Sequence, residues 1–308
     1  MKNRAKRFIT RFVVIVFGHI LNLPLLLVRR YAKSRHFIKG IIIPWYFKRY
    51  LPAAAAVHAR EVVKNPDEKI FSLWFQGEDA APPLVKSCYR SIRRHCPQEF
   101  LVLDDKTLWD YIDLPGFIMD KFKAGTLRRS HLADIARVEL LYNHGGFWLD
   151  STCFVVSEIP KFIVDSDFFV FLVGDNKIGN LKISPHSFMQ NCFIRARKGA
   201  YLLDAWRAMM HAYWKDEKKT FDYFMHQLLF RTLVHNDPRA IDAFANMPHV
   251  NQDWTANLWR GHATEPFDQA KFIEMTSRAF FQKLAYRPRY ARRPIPGSVA
   301  DVVTRMNS

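Results

Sequence analysis

The sequence predicts an α/β domain built on a largely parallel sheet, on three observations. Short runs rich in β-branched and aromatic residues alternate with longer stretches of helical periodicity, the order that strand–helix–strand units produce. Proline and glycine fall between those runs, at Pro82-Pro83, Pro97 and Gly145-Gly146, where elements must start, stop or reverse. Apolar residues make up 49% of the 308, enough to bury a substantial core and to exclude a disordered tether.

In chain order, Ile70-Phe71-Ser72-Leu73-Trp74-Phe75 predicts a buried strand, ended by Gln76-Gly77. Pro82-Pro83 opens a helix that runs to about residue 95 and that Pro97 stops. Phe100-Leu101-Val102-Leu103 is the next strand, closed by Asp104-Asp105, and shorter helical stretches lead to Gly125. A helix over 130–143 ends at Gly145-Gly146 and feeds a strand over 147–149. Further strands are expected over 168–173 and 188–194, and two helices over 200–234. Asn65-Pro66-Asp67 reads as a linker. It separates an N-terminal segment, 1–60, from a domain over 67–308 that carries a basic C-terminal tail.

The charge is strongly asymmetric. There are 46 basic and 29 acidic side chains, a net of +17, and thirteen of those positive charges lie in residues 1–60, before the first acid at Glu61. Inside that segment, residues 12–28 carry no formal charge, but a helix of this length reaches only roughly 25 Å, short of a ~30 Å hydrocarbon core. Arg29-Arg30 follows it, which does not suit a signal-peptide cleavage site. Polybasic flanks beside apolar stretches, with Ile41-Ile42-Ile43-Pro44-Trp45-Tyr46-Phe47 assisting, point to an anionic membrane surface, as a marginal span or an interfacial helix. A helix packed on the protein's own core is the alternative. Nucleic acid is a poor partner, because charge beyond residue 60 is nearly balanced. Cys88, Cys96, Cys153 and Cys192 are scattered, without a C-x-x-C pair. That argues against a zinc ribbon or a disulfide scaffold and for a reducing compartment.

The sharpest local pattern runs from Ser130 to Thr152. On a helix, Ser130, Asp134 and Arg137 share one stripe, while Leu132, Ile135, Ala136, Val138 and Leu140 make most of the remaining surface apolar. A buried carboxylate and guanidinium must be paired, so this spacing taken alone also suits a structural ion pair. Gly145-Gly146 permits a sharp reversal into a strand that delivers Asp150 at its carboxyl end, where open α/β sheets bind ligands. Ser151 and Thr152 leave room beside it. Asp150 can hold a divalent ion or sugar hydroxyls, or merely cap a turn.

This helix–Gly-Gly–strand–Asp block resembles the DXD-containing sugar-binding region of the glycosyltransferase 32-like families, and most of all their capsular polysaccharide synthesis branch. Trp74-Phe75-Gln76-Gly77-Glu78, Asp113-Leu114-Pro115, Asp222-Tyr223-Phe224-Met225-His226 and Phe281-Gln282-Lys283-Leu284-Ala285-Tyr286 add to the likeness in the right order. It covers roughly residues 68–288, with 1–60 outside it. The resemblance implies a GT-A fold and transfer of a sugar from a nucleotide-sugar donor to a glycan or lipid-linked acceptor, with retention of anomeric configuration. It matches Asp134 and Arg137 to donor-contacting residues, Asp150 to the first Asp of DXD, and Trp74, Gln76 and Gly77 to the loop that receives the base. Gly145, Gly146, Ser151, Thr152, Asp222, His226 and Lys283 complete the expected donor site. The sequence departs from the pattern at Thr152, where a second metal-binding carboxylate would stand.

A Mn²⁺ or Mg²⁺ ion held by Asp150 is still the expected cofactor, with cationic stabilisation of the leaving diphosphate by Lys283 and Arg287 as the alternative. The expected protein is thus a glycosyltransferase at the cytoplasmic face of a membrane, peripheral or held by one N-terminal anchor. A non-catalytic nucleotide-sugar or glycan-binding scaffold of the same fold is the competing reading, and Thr152 is the residue that favours it.

Overall fold

Alternating side chains let each strand feed two cores at once, and the central sheet uses that property throughout. The computed structural model describes residues 38–65, 67–173, 177–178, 181–182, 188–256 and 258–306. Its strands are β1 (Ile70–Leu73), β2 (Phe100–Leu103), β3 (Gly146–Leu149), β4 (Cys153–Val155), β5 (Phe168–Leu172), β6 (Lys177–Ile178), β7 (Leu181–Lys182), β8 (Met189–Ala196) and β9 (Phe281–Lys283). Its α-helices are α1 (Ile43–Phe47), α2 (Leu51–Ala55), α3 (Pro83–His95), α4 (Gly116–Lys123), α5 (Arg129–His144) and α6 (Lys161–Asp165). They continue as α7 (Tyr201–Asp216), α8 (Met225–Val234), α9 (Pro238–Ala245), α10 (Gln269–Thr276), α11 (Arg289–Arg292) and α12 (Val299–Arg305).

Five strands make the main sheet in the order β2-β1-β3-β8-β5. The β1 strand pairs in parallel with β2 and β3, and β8 pairs antiparallel with β3 and β5. Four strands therefore share one direction and β8 alone runs against them. Phe71, Trp148, Val170 and Ile194 face one core, covered by α5, α7 and α8; Ile70, Phe147, Phe169 and Phe193 face the other, under α3 and α6. The shared direction of four strands is what the strand–helix alternation implies, while both pairings of β8 are antiparallel.

The first strand stops at Leu73 rather than at residue 75. Trp74 N still donates to Leu103 O at 2.9 Å, but Gly77 N turns back to Trp74 O at 2.8 Å, which releases 74–76 from the sheet. At the far end of α5 the chain reverses through Gly145 and Gly146, with φ of 70° and 98°. A Cβ on Gly146 would meet Lys69 O at 2.3 Å, so this glycine lets β3 approach the segment before β1.

The described part of 1–60 is not a separate segment. Ile43, Tyr46, Phe47, Tyr50 and Ala54 are buried in the same core as Ile135 and Trp206. The hydroxyls of Tyr46 and Tyr50 donate to Glu217, Arg60 forks onto Asp204 at 2.7 and 2.6 Å, and Arg239 donates to the carbonyls of Ala55 and Val57 at 2.9 Å. The aromatic content read as membrane-seeking is mostly core-seeking here. The outer stripe of the same stretch, Ile41, Trp45 and Lys48, remains exposed. The uncharged run over 12–28 lies outside the described residues, and Pro66 of the expected linker does too. Among the described residues, no helix is long and apolar enough to cross a membrane.

The C-terminal stretch is also more than a basic tail. Val299, Ala300 and Val303 of α12 pack on Leu84 and Cys88 of α3, and Ser87 Oγ donates to Val303 O at 2.6 Å.

Candidate active site

Three chain segments meet at one edge of the sheet. The residues after β1 (74–76) and after β3 (150–152) leave the carboxyl ends of parallel strands, and β8, running the other way, brings in its first residues, Gln190, Asn191 and Cys192. Helix α5 supplies a fourth wall with Arg129, Ser130, Asp134 and Arg137, and the end of β9 with the residues after it a fifth, through Lys283, Tyr286 and Arg287. Together they enclose a cleft of about 690 Å³.

Asp134 and Arg137 fall one turn apart on α5 and are almost wholly buried, at 9% and 6% exposure. Arg137 Nη2 lies 3.2 Å from Asp134 Oδ1 and 3.5 Å from Asp150 Oδ1, and Nη1 donates to Asn191 O at 2.6 Å. Asn191 Nδ2 donates back to Asp134 Oδ1 at 3.2 Å. Burial, the largest influence, would raise the Asp134 pKa, but Arg137 and, after it, the imidazoles of His226 and His131 together outweigh it, and the carboxyl sits below its ordinary value.

Asp150 continues the β3–β8 ladder through its N–H to Cys192 O at 2.8 Å, which fixes its backbone. Trp148 Nε1 donates to its Oδ1 at 2.8 Å, and Lys283 Nζ to its Oδ2 at 2.7 Å. Burial opposes ionisation here too, yet Lys283 and Arg137 together bring the pKa down to about 2. Lys283 arrives by register. Strand β9 pairs with β4 so that Lys283 faces Cys153, and Leu284 N donates to Thr152 O at 2.8 Å. Its ammonium also donates to Thr152 Oγ1 at 2.7 Å. Burial would lower the Lys283 pKa, but Asp150 beside it holds it above the usual lysine value, so the group stays charged.

The structure brings together Trp74, Gln76, Asp134, Arg137, Asp150, Ser151, Thr152 and Lys283 of the expected residues. It does not bring Gly77, Gly145, Gly146, Asp222 or His226 into the lining. The two glycines at the α5 end serve backbone packing, and Gly77 caps the turn after Trp74. Asp222 Oδ1 accepts from Phe224 N at 2.8 Å and shapes the entry to α8. His226 is completely buried against Trp206, with ring centroids 4.1 Å apart, and burial pushes its pKa down to about 3, so the ring is neutral.

Sequence reasoning missed Gln190, Asn191 and Gln227. The signal for the first two was present: a Gln-Asn pair interrupts the otherwise apolar start of β8.

A divalent cation of the Mn²⁺ or Mg²⁺ kind needs about six oxygen ligands and at least one carboxylate free to face it. Asp150 has one oxygen on Trp148 and Arg137 and the other on Lys283, while Thr152 is neutral and accepts from the same lysine. No group of three or more His, Cys, Asp or Glu side chains that could hold a metal occurs among the described residues. The donor set therefore does not fit such an ion.

An α/β protein with a polar, cation-rich cleft at the carboxyl edge of its sheet is the class that fold and site define. The model of the capsular polysaccharide synthesis protein family matches residues 31–295, and the chain belongs to that family. The match begins well before residue 68, in agreement with the packing of α1 and α2 into the core. No curated protein sequence matches the chain. Among solved structures, the PaToxG glycosyltransferase is similar over 69% of this chain and 84% of that one, at 11% identity and a TM-score of 0.39.

Proposed function

We propose that this protein is a glycosyltransferase of GT-A type that moves a sugar from a nucleoside-diphosphate sugar to a glycan or lipid-linked hydroxyl during capsular polysaccharide synthesis. One observation carries the reading. Asp134, Arg137, Asp150 and Lys283 form a continuous chain of ion pairs in a cleft that also presents Trp74 and Tyr286, whose rings meet edge to face at 5.2 Å. The aromatic pair suits a base, the carboxylates suit sugar and ribose hydroxyls, and the cations suit a diphosphate. Trp74 Nε1 is buried without a hydrogen-bond partner among the described residues, a donor to spare at the base end.

In the proposed step the bond from the sugar C1 to the diphosphate oxygen breaks and a bond from C1 to the acceptor oxygen forms. The acceptor's proton passes to the departing diphosphate, and attack from the same face retains configuration. Cationic side chains favour this step because negative charge grows on the leaving group. The exposed Ile41, Trp45 and Lys48 stripe supports a peripheral membrane location, near a lipid-linked acceptor.

The test is Asp150→Asn in a nucleoside-diphosphate release assay with a panel of UDP- and GDP-sugars. Loss of about 10²- to 10³-fold in turnover, the usual scale for one transition-state contact, with an unchanged melting curve supports the proposal. Full turnover in the folded variant refutes the catalytic assignment. Tight nucleotide-sugar binding by the native protein without any release would favour the scaffold reading, which Thr152 suggests.

A further inference from the structure

The disagreement between this donor set and a divalent cation has a constructive side. Lys283 Nζ lies 2.7 Å from Asp150 Oδ2 and 2.7 Å from Thr152 Oγ1, so it bridges the first and third residues of the Asp-Ser-Thr turn. In an Asp-x-Asp turn, those are the side chains that would share a metal. We propose that the Lys283 ammonium takes the place of the divalent ion and binds the donor's diphosphate directly, so that donor binding needs no metal. The inference rests on the glycosyltransferase reading above and specifies how that site holds its substrate.

Geometry and charge both support it. An ammonium has three N–H donors. Asp150 and Thr152 take two, and the third remains for a phosphate oxygen in the cleft that Lys283 lines. The side chain is 28% exposed, enough to reach a ligand while its stem is held by the β4–β9 pairing. A dication placed at Asp150 would sit against this fixed positive charge, which is unfavourable at short range in a part-buried site. The rest of the lining agrees. Arg129, Arg137 and Arg287 join Lys283 against only Asp134 and Asp150, an excess of positive charge that a diphosphate can neutralise without a metal. Threonine at 152 is consistent with this arrangement. A neutral hydroxyl orients the ammonium, whereas a second carboxylate would neutralise it.

The experiment uses the full-length protein and calorimetric titration with UDP, GDP and inorganic pyrophosphate, each in EDTA and in Mn²⁺. Pyrophosphate isolates the shared anion, and the two nucleotides report the base. The expected result is that at least one nucleoside diphosphate binds in EDTA and that Mn²⁺ changes its Kd by less than about threefold. Lys283→Ala should then weaken binding in EDTA by about 10- to 100-fold, the span of one hydrogen bond to a charged group, while Lys283→Arg keeps most of it. Adding Thr152→Asp to Lys283→Ala restores an Asp-x-Asp pair and should make binding at least about tenfold tighter in Mn²⁺ than in EDTA.

Binding that appears only with Mn²⁺, or that Lys283→Ala leaves unchanged, overturns the proposal and leaves the glycosyltransferase reading standing. Failure of every diphosphate to bind under both conditions overturns both. The comparison of EDTA with Mn²⁺ on the native protein needs no substitution and decides whether a metal is required. If Lys283→Ala does not fold, Lys283→Gln, which keeps the stem and removes the charge, should show the same weakening in EDTA, and unchanged binding overturns the proposal.

Discussion

Replacing Arg137 by Met tests whether the guanidinium holds the empty cleft together. Arg137 donates to Asn191 O at 2.6 Å, pairs with Asp134 at 3.2 Å and Asp150 at 3.5 Å, and lies over the Trp148 ring at 5.1 Å. Met retains most of the apolar stem, so the loss is chiefly electrostatic. Asp150 keeps Lys283 and Trp148. Asp134, at 9% exposure, keeps Asn191 at 3.2 Å and His131 at 3.5 Å among the described residues. Removing one partner of a buried pair costs about 3–5 kcal/mol, and the contacts left to Asp134 offset about 1 kcal/mol of it. The expected loss is about 2–4 kcal/mol, or about 4–8 °C in Tm at about 2 °C per kcal/mol for a large domain.

The pH dependence has a definite sign. In the native protein the folded pKa of Asp134 lies below its unfolded value of about 3.9, so the group contributes stability above that pH and loses it as the pH falls through the folded value. Without Arg137, burial dominates and the folded pKa moves above the unfolded one. Stability in the variant is then greatest with Asp134 protonated and is lost as the pH rises through the new pKa. The Tm gap between native and Arg137→Met protein should therefore narrow from pH 7 toward about pH 4. Melting curves across that range measure it, and Asp134→Asn added to Arg137→Met should recover at least half of the loss at pH 7. A gap that stays flat with pH, or no recovery from the second substitution, refutes the reasoning.

Gly146→Ala places a methyl group 2.3 Å from Lys69 O at φ 98°, against a backbone already held by Phe147 N at 2.9 Å. It should cost more than about 4 kcal/mol and yield insoluble or strongly destabilised protein, whereas Gly125→Ala, with φ 70° but open space around it, should cost only about 1–2 kcal/mol. Near-native melting of Gly146→Ala would disprove the packing argument. At the surface, Ile41→Glu with Trp45→Glu should weaken cosedimentation with vesicles containing phosphatidylserine by about tenfold or more without changing Tm, because both side chains are over half exposed. Unchanged vesicle binding would remove these residues from any membrane contact.

Much of the fold was legible because its signals are local. Helix α3 begins at the expected Pro82-Pro83 and ends before Pro97, and β2 occupies the expected four residues. The Gly-Gly reversal, with Asp134, Arg137 and Asp150 around it, lies within one stretch whose periodicity changes from helix to strand. Helices α9 and α10 went unread although Asp237 and Asp268 cap them, accepting from Ala240 N at 2.9 Å and Lys271 N at 2.7 Å. Strands β4 and β9 are three residues each, too short for alternation to show, yet their pairing is what seats Lys283. Arg195 shows the same limit. It lies just past the expected strand over 188–194, yet it belongs to β8 and is fully buried on Glu68 at 2.8 Å, a partner over a hundred residues away. The burial of Tyr46 and Tyr50 was equally hidden, because their acceptor is Glu217.

Thr152 and Lys283 are best understood as one feature. A carboxylate at 152 would place two anions around Nζ, and the lysine would then be consumed as their counter-ion, with nothing left for a phosphate. A carboxylate there without the lysine would leave two acids facing each other and would require a dication to hold them. With threonine, Asp150 and Lys283 nearly balance and Asp134 and Arg137 do the same, so Arg129 and Arg287 set the net charge of the lining. A diphosphate entering such a cleft meets a positive field already in place, and its charge need not wait for an ion to bind first. The exchange of a carboxylate for a hydroxyl, which taken alone reads as damage to a metal site, is in this setting what leaves the ammonium free to bind a phosphate.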